Sequence, residues 1–378
     1  GMLLYFYLPH STRSDNSTKI IIEKILKTHF QFQTVENIKD MNEDATILIW
    51  SSTFMSDKFF QSLPYKILLN HFPRSVEVGH KVNLYRNLNN VESDFLPLSF
   101  LSLYEWFQYI VEKHDKIDIP KYWVTKPIKG GGGRQIKVWS TEKLMLYCDN
   151  LKKKTFEGDT IINTKTKIVV QRYISNPLLH SESKTKFDIR AYVLVLSNGD
   201  IYLYTEGLLR MASKPYNLDE NKLNDPYVHV TNNSVNKRNN IKHGACENLL
   251  WSEYFIRGEY EMEKNMMKNI MLQLKSITKT TFTDCFLENG KIKREHEKYK
   301  RKVKSFELFG IDCIIDNNYK VWLLEVNHMP EIETTNAARA DKIMNDQLIL
   351  DMFNLIFEKK KMLNTGNVEI VNKFCKII

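Results

Sequence analysis

FGIDCIIDNNYKVWLLEVNHMP, residues 309–330, is the stretch on which the fold turns. Two apolar runs flank Asp316-Asn317-Asn318, whose short polar side chains favour a turn, so the spacing predicts an antiparallel hairpin over Phe306–Val326. Side chains alternate along a strand, which places Glu325 and Asn327 on one face, and pairing across the turn brings Asp312 near that face. Two carboxylates and an amide oxygen form a hard-oxygen set suited to a magnesium ion whose shell phosphate oxygens complete. The competing reading is burial of these carboxylates against arginine, because unpaired burial in apolar strands is costly.

Working upstream, Phe187–Tyr204 alternates as a second hairpin around Asn198-Gly199, a strong turn pair. Lys186, Asp188 and Arg190 are spaced two apart on its first strand and therefore share a face. Arg190 and Arg210 lie at the ends of strands expected to be neighbours, and two guanidinium forks can balance the charge of a phosphoryl group in transfer. Further upstream, YWVTKP, IKGGGG and RQIKVWS read as strand, glycine-rich turn and strand. Gly130, Gly131, Gly132 and Gly133 leave backbone N–H groups open to polyphosphate, although four glycines by themselves are equally a flexible loop. The pattern is not the GxxxxGK[ST] phosphate loop. Lys126 at the end of the first strand adds a cation suited to phosphate.

The rest of the chain supplies a scaffold. Met2–Leu8 and Thr46–Trp50 read as buried strands and Ile20–Leu26 as a packed helix, which makes residues 1–68 a small N-terminal α/β domain. Residues 69–173, with a helix around Leu98–His114 and a strand at Lys167–Tyr173, form a central lobe carrying the glycine turn. Residues 174–378 form a C-terminal lobe, with helices expected over Leu249–Ile277 and Asn345–Lys360. The class is α/β, with α+β character in the C-terminal lobe.

The 378 residues are 43% hydrophobic, which excludes global disorder. Lys and Arg (54) exceed Asp and Glu (45), a formal net charge of +9 that favours an acidic partner without saying which. Five scattered cysteines argue against a disulfide framework or clustered zinc and suit a reducing compartment. No apolar run approaches the length of a membrane span. Lys291–Lys304 carries eight basic residues against two glutamates and is either a solvated segment or a surface for a polyanion. It lacks the repeated aromatics of a single-strand nucleic-acid platform, so no nucleic-acid partner is expected.

The blocks WVTKP…GGGG, VVQRYISNPLL, KFDIRAYVLV, IYLYTEGLLR, HVTN and FELFGIDCIID…VWLLEVNHMP occur in an order that resembles the tubulin–tyrosine ligase family of ATP-grasp enzymes, from about residue 69 to about 335. The resemblance implies an ATP-grasp fold holding ATP and magnesium between the central lobe and a mixed or antiparallel sheet of the C-terminal lobe. It implies that Lys126 and Lys186 contact phosphates beneath Gly130–Gly133, and that Gln171, Arg172, Tyr173 and Ile174 form the adenine-side hinge. By the same resemblance Asp188, Thr231 and Asn232 line the cleft, and Arg190 and Arg210 hold the γ-phosphate and then an acyl phosphate. Asp312, Glu325 and Asn327 would bind magnesium, with Glu325 also among the catalytic residues.

The implied activity is an ATP-dependent ligase that joins a carboxylate to an amine. Chain size and the run IYLYTEGLLRMASKPYN most resemble the tyrosine-adding branch of that family, and the resemblance implies addition of free tyrosine to the C-terminal carboxylate of detyrosinated α-tubulin. The alternative is a glutamylase or glycylase acting on glutamate side chains of the acidic tubulin tail, with glutamate or glycine as the amine. A silent tubulin-binding module would lack the ligands that are present here. The expected protein is a cytoplasmic monomer associated with the microtubule cytoskeleton, with no membrane partner. Two departures from the family pattern stand out: the loop is unusually glycine-dense, and His328 and Met329 replace the small residues expected for tyrosine transfer.

Overall fold

The computed structural model describes residues 4–7, 16–35, 45–51, 54–62, 66–113, 118–153, 167–236, 248–256, 261–332, 339–357 and 372–378. Among the described residues its larger sheet has 11 strands, and the long strands β9 (Thr185–Leu196) and β13 (Val303–Ile315) form its spine. On one side of β9 lie β11 (Leu208–Pro215) and the short β12 (Leu249–Leu250). β10 (Ile201–Tyr204) returns from the Asn198-Gly199 turn and pairs with β9 and with β15 (Phe374–Lys376). β14 (Val321–Asn327) folds back on β13. Both hairpins expected from the sequence are therefore present.

β13 also changes partner along its length. Its first residues, Val303–Ser305, run parallel to β4 (Lys66–Leu69), which continues through β3 (Thr46–Ile49) and β1 (Leu4–Tyr7) to β2 (Gln33–Thr34). The N-terminal strands thus extend the same hydrogen-bonded sheet that carries the acidic hairpin.

The second sheet has four strands in the order β5-β8-β6-β7: β5 (Ser99–Phe100), β8 (Ile168–Arg172), β6 (Tyr122–Pro127) and β7 (Lys137–Ser140). Helices Leu103–Lys113 and Thr141–Lys153 close its back through a core of Trp106, Ile110, Trp123, Leu144 and Cys148. Ser99–Phe100, expected within a helix, forms a strand instead because it pairs with Gln171 and Val170. Leu249–Leu250 likewise pairs with β11 rather than opening a helix, and the long helix begins later, at Glu261–Phe282. Edge pairing overrode local helical pattern in both cases.

Alternation along β9 explains where the large sheet is left open. Its odd residues, Phe187 to Val195, join Phe309, Ile311 and Cys313 of β13 beneath helices Glu261–Phe282 and Lys81–Asn90. Its even residues split: Tyr192 and Leu194 pack with Phe306 and Leu308 under helices Asn16–Phe30 and Arg339–Ile356. Lys186, Asp188 and Arg190 continue that face as charge, where helices cannot cover it without leaving ions buried. The four-stranded sheet stands opposite this end, and a cleft lies between the two sheets. Among the described residues no helix is long and apolar enough to cross a membrane. The described cysteines Cys148, Cys285, Cys313 and Cys375 are free thiols, and Cys246 lies outside the described residues.

Candidate active site

The register of the acidic hairpin fixes the first part of the site. Asp312 stands directly opposite Glu325 and Gly310 opposite Asn327, so the three residues singled out from sequence share one face. A bulge follows immediately, with Cys313 opposite Leu323 and Leu324 as the extra residue. The Leu324 carbonyl accepts a hydrogen bond from Tyr85 Oη at 3.0 Å, which pins the bulge.

Asp312 is the hub. Arg190 grips it with both Nε and Nη2, the latter 3.0 Å from Oδ2, and Arg210 Nη2 lies 3.0 Å from the same oxygen. The Asn327 amide donates to Oδ2 at 3.3 Å. Gly310 makes the first grip feasible, since a Cβ there would stand 3.0 Å from Arg190 Cδ. Burial alone would raise the Asp312 carboxyl, but the two guanidinium groups hold it well below the usual carboxylate range. Arg210 is shared with Asp188 through a bidentate pair at 2.8 and 2.5 Å. The register that places Arg210 opposite Asp188 and Arg190 opposite Asp312 therefore builds a four-membered charge network across β11, β9 and β13. The pairing with arginine weighed against metal binding at the sequence level is present at Asp312.

Glu325 is different. Its side chain is 31% exposed, and its Oε1 lies 3.3 Å from Lys81 Nζ. Lys81 also donates to the Gly130 carbonyl at 3.3 Å, so one ammonium ties the glycine turn to the acidic strand.

Two further lysines stand in the cleft with neutral partners. Lys126 Nζ donates to Gln171 Oε1 at 2.7 Å and to Tyr85 Oη at 3.3 Å. Lys186 Nζ donates to the His229 carbonyl at 2.9 Å and to Tyr173 Oη at 3.3 Å. Burial pulls both ammonium groups down to about 8, so each holds its proton at reduced affinity until an anion arrives. Burial, with the Lys186 charge, also lowers His229 to about 4. The ring is therefore neutral: Nδ1 accepts from Tyr173 Oη at 2.7 Å, while Nε2–H donates to the Lys222 carbonyl at 3.1 Å.

The cleft between the two sheets is partly open to solvent. Val124, Ile136, Val138, Ile174 and Ile314 give it apolar walls, and Lys126, Lys186, Asp188, Arg210, Asp312 and Glu325 line its charged end. Gln171, Arg172, Tyr173, Thr231 and Asn232 complete the wall. Gly130–Gly133, Arg190 and Asn327 stand outside that wall. Gly133 nonetheless packs on it: its φ is +71°, and a Cβ would come within 2.6 Å of Val230 Cγ1 and 2.8 Å of Asn232 Oδ1. Ser234 Oγ holds the turn by donating to the Gly132 carbonyl at 2.8 Å. Lys81, Tyr85 and His229 had no role in the reading of the sequence as phosphate-end residues. His229 falls inside the HVTN block, whereas Lys81 and Tyr85 come from a helix without any motif.

The lining chemistry fits a nucleoside polyphosphate: apolar walls suited to a base lead to an end rich in cations. Six cations (Lys81, Lys126, Arg172, Lys186, Arg190 and Arg210) stand against three carboxylates (Asp188, Asp312 and Glu325) in and behind the wall. Among the described residues no three His, Cys, Asp or Glu side chains cluster closely enough to hold a metal alone. A divalent cation at Glu325, Asp312 and Asn327 would thus share its shell with phosphate oxygens, as the hard-oxygen set implies.

Comparison with known proteins agrees with this chemistry. A family model described as the Tubulin-tyrosine ligase family matches residues 61–365. Tubulin polyglutamylase TTLL5 of Mus musculus is 28% identical over 382 residues, covering 94% of this chain and 27% of that protein. Tubulin monoglutamylase TTLL4 of Homo sapiens is 28% identical, covering 89% of this chain and 26% of the relative. Probable tubulin polyglutamylase TTLL2 of Mus musculus is 27% identical, covering 91% and 61%. The chain spans about a quarter of the first two relatives and under two thirds of the third.

Proposed function

The chain belongs to the tubulin-tyrosine ligase family, and from that premise we propose that it is an ATP- and magnesium-dependent carboxylate–amine ligase that adds glutamate to a glutamate side chain of an acidic tubulin tail. The observation that carries the ligase reading is the charge network on β9, β11, β13 and β14, set at the end of a cleft whose other walls are apolar. The choice of glutamate over the tyrosine expected from the resemblance rests on the relatives, whose names are those of glutamylases.

In this reading Lys126 and Lys186 neutralise phosphate oxygens, and the anion restores their proton affinity. Gln171 to Ile174 and the apolar walls seat the base. Glu325, Asp312 and Asn327 would hold magnesium, which when bound would draw charge from the outer phosphates. Bound ATP would supply the phosphoryl group that turns an unreactive carboxylate into an acyl phosphate with a good leaving group. Arg210 and Arg190, locked in place by Asp188 and Asp312, present fixed charge to the phosphoryl oxygens of that group without reorganising. The glycine turn, tethered by Lys81 and Ser234, limits water access to it. Positioning and electrostatics carry the rate, with no protein nucleophile.

The test is to supply ATP, Mg²⁺ and tubulin, offer glutamate, tyrosine and glycine separately, and read adduct mass and attachment site by mass spectrometry. Glutamate linked to a tail side chain supports the proposal. Tyrosine on the terminal carboxylate, or no adduct with any of the three, rejects it.

A further inference from the structure

The basic segment Lys291–Lys304 divides in the structure. Lys293, Lys298 and Lys300 are each paired with a glutamate of the same surface, Glu288, Glu295 and Glu297. Lys291 and Arg294 instead lie one turn apart on helix Gly290–Tyr299 and face Arg74 across a concave pocket, which Glu295 also lines while it pairs with Lys298. Glu77 lies beneath that pocket, 2% exposed, and holds Arg74 at 2.7 Å and Lys291 at 3.4 Å. Burial would raise its carboxyl, but the hydrogen bond from Arg74 and the charge of Lys291 keep it below the usual range, so it stays an anion that orients both cations. Arg294 is exposed, and among the described residues no hydrogen bond or ion pair engages it.

The pocket is joined to the candidate active site by one short stretch of chain. Arg74 leads through helix Val76–Gly79, which packs against His328, to Lys81 on Glu325. Lys81 lies seven positions after Arg74, and the helical Val76–Gly79 between them keeps the span well below the about 25 Å of a fully extended chain. An extended peptide at about 3.3 Å per residue bridges it in fewer than about seven residues.

We infer that Arg74, Lys291 and Arg294 form a subsite for a carboxylate of the acidic acceptor peptide, a few residues away from the glutamate that is modified. This rests on the ligase reading above and adds to it the place where the acceptor is held. Arginine forks match carboxylate geometry, and cations on two sides of the pocket can grip one carboxylate together, which the Lys300–Lys302 surface does not offer.

The experiment uses the whole chain and a fluorescent peptide of alternating glutamate and glycine, ten residues long. Arg294→Glu, chosen because Arg294 is exposed and carries no internal contact, should weaken peptide binding about tenfold and raise the peptide KM to match. ATP-induced thermal stabilisation and kcat at saturating peptide should not change. Neutralising Lys300, Arg301 and Lys302 together should change affinity less than about threefold. Peptide affinity within twofold of wild type in Arg294→Glu overturns the inference, as does a larger loss in the triple variant. An equal loss of binding to a single-stranded oligonucleotide of matched charge also overturns it, because the surface would then be a general polyanion patch. The outcome separates from that of the ligase proposal: wild type that binds peptide through Arg294 but forms no adduct retains the subsite and rejects the ligase.

Discussion

Replacing Glu325 with glutamine removes one charge from the candidate cation site and almost nothing from the fold. The side chain is 31% exposed and meets Lys81 at 3.3 Å, a solvated pair whose loss costs less than about 1 kcal/mol. The melting temperature should fall by no more than about 2–4 °C. If the carboxylate holds magnesium against the phosphates, loss of its charge should raise the barrier by about 3–4 kcal/mol, which is about 10²–10³ in kcat. A second signature follows from Lys126, whose ammonium burial weakens and the Glu325 charge supports; without that charge its proton affinity drops below the present value of about 8. ATP affinity of the variant should therefore decline at lower pH than in wild type. The assay is ADP release with saturating acceptor and glutamate, beside thermal melts of both proteins. A variant that melts normally and keeps kcat within threefold of wild type refutes the reasoning. Arg210→Ala is a poorer probe, because it strips Asp188 of its bidentate partner and breaks a buried pair at about 3–5 kcal/mol.

Other consequences can be checked alongside. Phosphate needs Lys126 and Lys186 protonated, and burial sets both near 8, so ATP affinity should hold below about pH 8 and fall as pH rises through it; calorimetry near that pH should show net proton uptake, and a flat affinity to about pH 9 would contradict this. Burial depresses His229 and His328 to about 4 from an unfolded value near 6.5, so their stability contribution is complete above about pH 6.5 and lost as pH falls toward 4. At about pH 5 each should cost about 2 kcal/mol, and urea midpoints equal to those at pH 7 would refute it. Gly133→Ala should raise the KM for ATP about tenfold with a small change in melting, because the new Cβ would meet Val230 and Asn232 at a left-handed φ of +71°; an unchanged KM would place the glycine turn outside nucleotide binding.

The sequence was most legible where one local period and one turn set geometry. Alternation around Asp316–Asn318 sufficed to place Glu325 and Asn327 on one face, and Asp312 stands opposite Glu325 in the structure. The two-residue spacing of Lys186, Asp188 and Arg190 likewise survives on β9. What pattern could not supply is long-range pairing. Nothing local in Lys66–Leu69 announces a parallel partner at Val303–Ser305, and the sheet reaches the N-terminal strands by that contact. Lys81 and Tyr85 carry no local signal because they point from a helix into a site built on strands far away in sequence. The bulge at Leu324 depends on two strands meeting and has no signal in either alone. Glycine density drew attention to Gly130–Gly133, but the structure uses that turn as a tethered rim, with Lys126 and Lys186 forming the wall.

The most direct test is a structure with a non-hydrolysable ATP analogue and Mg²⁺. The account predicts the triphosphate between β6–β8 and β9–β13–β14, Lys126 and Lys186 on its oxygens, and a cation about 2.1 Å from a Glu325 oxygen with Asp312 or Asn327 beside it. A nucleotide bound elsewhere, or Glu325 still held by Lys81 with no cation near it, would contradict the account.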